Sequence, residues 1–88
     1  MALPLEMRRA FAKRLTDTLN SAGVPEVDHA LHLGKLADVS SQLPQRWLQG
    51  LAVPSRTTLS HIAKLLNVKP EWLLKGSGDM KPSHLQQN

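Results

Sequence analysis

From Leu5 to Ala22, the positions Met7, Phe11, Leu15, Thr18, Leu19 and Ala22 return every three or four residues, the spacing that keeps one face of a helix apolar. Gly23 supplies a stop, and Val24-Pro25 turns the chain away from helix. The same period returns from Glu26 to Ala37, where Val27, Ala30, Leu31, Leu33, Gly34 and Ala37 form the apolar or small set and Asp28 can cap the start. After a turn at Asp38-Val39-Ser40, a third helix is expected from about Ser41 to Gln49, ending at Gly50. Pro44 would break a helix interior, but with Ser41 as the cap it falls in the first turn, where the backbone N–H has no helical partner. A fourth helix follows Pro54-Ser55, with Leu59, Ile62, Ala63 and Leu66 at i, i+3, i+4 and i+7. Pro70, pre-set for a first helical position, opens a short fifth helix through Glu71-Trp72-Leu73-Leu74, and Gly76 ends it. From Ser77 to Asn88 the tail is polar, carries Gly78 and Pro82, and is expected to be disordered.

No stretch alternates as a strand would, and there are no repeats. The pattern predicts an all-α bundle of about five short helices in one domain over residues 1–76. A chain of 88 residues has little surface to bury, so its stability margin is small. Cysteine is absent, which removes both a disulfide framework and a thiolate metal site. No apolar run approaches the roughly 18 residues that cross a bilayer. The opening Met-Ala-Leu-Pro-Leu-Glu lacks the basic and apolar segments of a secretory signal. A soluble cytoplasmic protein with no membrane partner is the expectation.

Charge narrows the partner. Eleven Lys and Arg against seven Asp and Glu give a formal net charge of +4 and a sequence pI near 10.0. That is the electrostatic footprint of a nucleic-acid binder, although many small basic proteins bind none. Arg8, Arg9, Lys13 and Arg14 lie off the apolar stripe of the first helix, as a solvated face or as an attraction for phosphate. His29 and His32 stand three apart near Asp28 and Glu26, but no third ligand joins them, and His61 and His84 are far along the chain. No metal and no cofactor is expected. The glycines are scattered singly and no nucleophile motif surrounds a serine, so no enzyme is expected either.

An ordered set of short motifs then gives direction. It runs Leu33-Gly34, Asp38-Val39-Ser40, Arg46-Trp47-Leu48-Gln49-Gly50, Pro54-Ser55, Leu59 with Ile62-Ala63, and Val68-Lys69-Pro70-Glu71-Trp72-Leu73-Leu74-Lys75-Gly76. Over residues 33–76 this resembles the lambda-repressor-like, or Xre/Cro, helix-turn-helix family. Three departures stand out. Asp38 replaces the family's turn glycine, which Asp can do because it tolerates a left-handed backbone. Pro44 stands where the family has Val or Ile, and the link from Gly23 to the second helix is about four residues longer than usual.

The resemblance implies a double-stranded-DNA-binding transcription regulator, a repressor that occupies an operator with its third helix in the major groove. It puts Ser41, Gln42, Gln45 and Arg46 against bases, with Leu43 offering an apolar contact to a thymine methyl. Each has an ordinary alternative: Ser41 as a cap, the glutamines as plain surface, Arg46 on a phosphate. Phosphate contacts are implied at Ser55, Arg56 and Thr57, where a helix begins, and more weakly at Lys35. Trp47 is expected in the core. Trp72 and Leu73 are implied at the interface of a homodimer, with plain core the alternative for Trp72. A bacterial or phage origin goes with this reading. Two competitors share the fold: the antitoxin of a toxin–antitoxin pair, and a helical protein-interaction module that does not bind DNA.

Overall fold

The structure, a computed structural model, describes residues 3–80; the expectations for residues 81–88, His84 among them, lie outside the described residues. Helix α1 (Leu5–Ser21) buries Phe11, Ala12, Leu15, Thr18 and Leu19, the expected stripe. Met7 is only half-buried and Ala22 is exposed. Thr18 fits the stripe because its Oγ1 donates to the Arg14 carbonyl at 2.7 Å, which hides its polarity within its own helix. Val24 N then bonds back to Leu19 O at 3.0 Å and closes the helix end.

The expected single helix over 26–37 is divided. Glu26–Asp28 is a turn of 3-10 helix, tightened by Asp28 N bonding Pro25 O at 2.9 Å, and α2 (His29–Ala37) starts after it. The tighter winding rotates the side chains out of the α-helical phase. Val27, expected inside, is 90% exposed, while His29 is buried with Nε2 at 3.0 Å from the Val24 carbonyl. Asp28 stands at the cap position but its side chain makes no capping bond.

The turn after α2 forms as expected. Asp38 takes a left-handed backbone (φ 59°, ψ 45°), and Val39 N bonds Gly34 O at 2.9 Å. A methyl group at position 34 would sit 2.8 Å from the Val39 carbonyl oxygen, so the chain folds this closely over α2 only because residue 34 is glycine.

Helix α3 (Gln42–Leu48) is one residue shorter at each end than expected. Its first main-chain bond runs from Gln45 N to Ser41 O at 3.1 Å, so Pro44, at the third helical position, removes no hydrogen bond. Ser41 holds the cap position without a side-chain capping bond. Helix α4 (Arg56–Leu65) is capped by Ser55, whose Oγ accepts from Thr58 N at 3.3 Å. Asn67 turns the chain with φ 61°, and α5 (Pro70–Lys75) ends at Gly76 with φ 76°. Among the described residues there is no strand, and no helix is long and apolar enough to cross a membrane.

The core joins Phe11, Leu15 and Leu19 of α1 to Leu33, Trp47, Leu59, Ile62, Ala63, Val68 and Leu73. Helix α1 packs on α3 and α5, α2 on α3 and α4, and α4 on α5. Beyond Gly76, residues 77–79 are exposed, while Met80 packs against the core and its carbonyl accepts from Lys69 N at 2.9 Å.

Two arginines of α1 also depart from expectation. Arg14 donates from Nε to Leu73 O at 2.9 Å and from Nη2 to Leu74 O at 2.8 Å, satisfying carbonyls that the end of α5 leaves open. Burial pushes its guanidinium below its ordinary pKa, yet it stays a cation. Gly76 leaves room for it, since a Cβ there would lie 3.0 Å from Nη1. Arg8 donates to Gly50 O at 3.1 Å and also to Leu3 O. Both side chains bind the chain's own carbonyls rather than forming a solvated face; Arg9 and Lys13 remain exposed.

Two stability predictions follow from these contacts. Gly34→Ala should lower stability by about 1–3 kcal/mol through overpacking, although alanine has the better helix propensity. An unchanged or raised Tm would show that the turn yields. Arg14→Met, which keeps the aliphatic stem, should cost about 1.5–3 kcal/mol for the two charged hydrogen bonds. A chemical-denaturation midpoint within error of the parent would show that water replaces them freely.

Candidate nucleic-acid interface

Helix α3 has two unlike sides. Pro44 and Trp47 are buried and Leu48 half-buried, so one side is locked into the core. Gln42, Gln45, Arg46 and Gln49 are all exposed, and their i, i+3, i+4, i+7 spacing places them on a single opposite face. Three of the four expected base-reading residues thus come together; Ser41 is half-buried at the start of the helix. Gln49 was not expected as a member, although its place seven residues after Gln42 is readable from the sequence. Leu43 stands on the flank of this face at 46% exposure.

Among the described residues no side-chain hydrogen bond holds that outward face. Among the described residues the only ion pair is Lys13 Nζ with Asp17 Oδ2 at 3.2 Å, on the exposed surface of α1. Among those residues neither Arg46 nor Arg56 is held by a carboxylate. A guanidinium presents a planar fork of donors that suits guanine O6/N7, and a carboxamide offers the donor and acceptor that match adenine N6/N7. The face therefore carries bidentate hydrogen-bonding groups on a backbone held from behind.

The expected phosphate-binding residues fall into two places. Lys35, exposed in the last turn of α2, lines a shallow hollow with Ser40 and Ser41, next to the start of α3. Asp38 lines the same hollow. Ser55, Arg56 and Thr57 are exposed where α4 begins, on a separate element that starts after an extended segment. Ser55 Oγ is already engaged, accepting from Thr58 N and donating to Thr58 Oγ1 at 3.0 Å. The first backbone N–H groups of α4 have no helical acceptor.

The two residues expected as core or dimer contact separate. Leu73 is 0% exposed, wholly inside its own chain, which corrects its assignment to an interface. Trp72 is half-buried against the core. His29 has its ring buried on the Val24 carbonyl, so it does not stand open beside His32 as a ligand pair. Among the described residues no three His, Asp or Glu side chains gather as a metal ligand set would. No family model matches the chain, and no curated protein or solved structure matches it.

The division of α3 into two sides is testable on stability alone. Trp47→Ala should cost about 3–5 kcal/mol, the usual loss on emptying an aromatic core site. Gln42→Ala and Gln45→Ala should each stay within about 0.5 kcal/mol of the parent. A large loss at either glutamine would show that the outward face helps hold the fold together.

Proposed function

We propose that this chain is a sequence-specific double-stranded-DNA-binding regulator of transcription, a repressor that occupies its operator by laying α3 in the major groove. The observation that carries this reading is the face of Gln42, Gln45, Arg46 and Gln49, exposed and without a side-chain partner among the described residues, on a helix whose back is anchored by Pro44 and Trp47. An α-helix fits the major groove, and the groove's donor and acceptor pattern is what such side chains can read. The close turn through Asp38 between α2 and α3 and the net charge of +4 support it.

On this reading Gln42, Gln45 and Arg46 contact bases, with Ser41 beside them at the helix start. Arg56, Thr57, Ser55 and Lys35 hold the flanking phosphates and set the register. Two copies would bind half-sites about one DNA turn apart, with Trp72 the remaining candidate from the expected dimer contact. A second reading, a protein partner as for an antitoxin or an interaction module, draws on Val27 at 90% and Leu31 at 52% exposure, four residues apart. Together they present apolar surface to solvent.

Selection from a pool of random duplexes at near-physiological salt tests the leading reading. An enriched motif, as a palindrome with half-sites about one turn apart, is expected; recovery of nothing above the starting pool would turn attention to the protein-partner reading. Against the enriched duplex, Arg46→Ala should cost about 1–3 kcal/mol and relax preference at one position. Uniform weakening on every sequence would make Arg46 a phosphate contact instead. Arg56→Ala should weaken binding to all duplexes and reduce the salt slope by about one; an unchanged slope would remove it from the phosphate set.

A further inference from the structure

We propose that Leu43 and Arg46 read one dinucleotide step together, Leu43 touching the 5-methyl group of a pyrimidine and Arg46 the guanine beside it. The inference rests on the DNA-binding reading above and names what that site recognises. Among the exposed side chains of α3, Gln42, Gln45 and Arg46 are polar, and Leu43 is the apolar exception at 46% exposure. It stands in the first turn of the helix, the part of a recognition helix that reaches the base edges. Arg46 follows three positions later, so the two side chains are neighbours one helical turn apart, with Cβ atoms about 5–6 Å from each other. Successive bases on one strand rise about 3.4 Å, a spacing that two such side chains span.

The chemistry of the groove then selects the pair of bases. The apolar group that a base pair shows in the major groove is the C5 methyl of thymine, a feature shared with 5-methylcytosine, whereas guanine shows two acceptors, O6 and N7. A branched aliphatic group gains nothing from an acceptor or a donor but gains by covering a methyl that is otherwise in water. A guanidinium matches the two guanine acceptors with its planar fork. Lysine or glutamine at position 43 would address a polar edge; leucine addresses the methyl.

The test uses the duplex enriched from the random pool. Where a thymine adjoins a guanine in the enriched motif, replacing that thymine with uracil removes only the methyl. The full chain should then bind about fourfold more weakly, the worth of one methyl removed from water. Leu43→Ala should bind the thymine and uracil duplexes alike. Because Leu43 is substantially exposed, the variant is expected to keep the parent's circular dichroism and Tm, which are checked first. The two methyl sources are separated by placing cytosine and 5-methylcytosine, each opposite guanine, at the same position. A gain for 5-methylcytosine supports recognition of either methylated pyrimidine, and no gain beside a persisting uracil effect supports thymine alone. Equal binding of thymine and uracil duplexes, a uracil effect that survives in Leu43→Ala, or a motif with no thymine next to a guanine would overturn the inference while leaving DNA binding intact. Selection that enriches nothing would overturn both.

Discussion

The arrangement of this molecule depends on a close approach between α2 and the turn that follows it. With a hydrogen atom at position 34, the Val39 carbonyl settles where a methyl group would lie only 2.8 Å away. The left-handed Asp38 then reverses the chain within a single residue. Spread these two segments apart and α3 can no longer press Pro44 and Trp47 into the space between α1 and α2. The side of α3 that faces water is therefore decided on α2, eight or more residues earlier in the chain.

A helix of seven residues such as α3 has no stability of its own in water. Its form is borrowed from the core behind it, where Pro44 and Trp47 are buried. This separates two duties. The buried side holds the backbone, and the exposed side is left to carry Gln42, Leu43, Gln45, Arg46 and Gln49. The small core is supplemented by polar ties that span the chain. Arg14 fixes the end of α5 to α1 through two carbonyls, and Arg8 fixes the segment after α3 through the carbonyl of Gly50. Half of the basic cluster on α1 thus belongs to stability.

The helices and most of the core were legible from the spacing of apolar residues, because burial of one face is what a helical period records. Trp47 inside and Asp38 in a left-handed turn were legible too, one from the phase of its helix and the other from its tolerance of positive φ. What stayed hidden depended on contacts between distant parts of the chain. Arg14 is 59 residues from the first carbonyl it binds, and nothing local distinguishes it from a solvated arginine. Leu73 was equally apolar in either setting, and only packing shows that its own chain encloses it. The exchange of Val27 for His29 arose from the tight winding after Pro25, which breaks the phase that a periodic pattern assumes. Of the candidate site, the outward face of α3 was legible, and Gln49 falls on it seven residues after Gln42. The role of Ser55 as a working cap was legible, while Ser41 holds its cap position without the expected bond.

In the proposed function the outward face of α3 is the surface that meets DNA. The most direct measurement is a two-dimensional amide NMR titration of the chain with the duplex pool at low salt. Perturbations are expected to concentrate at residues 41–49 and again at 55–57, with Val27 and Leu31 unaffected. Shifts centred on Val27 and Leu31, or no shifts at all, would contradict that placement.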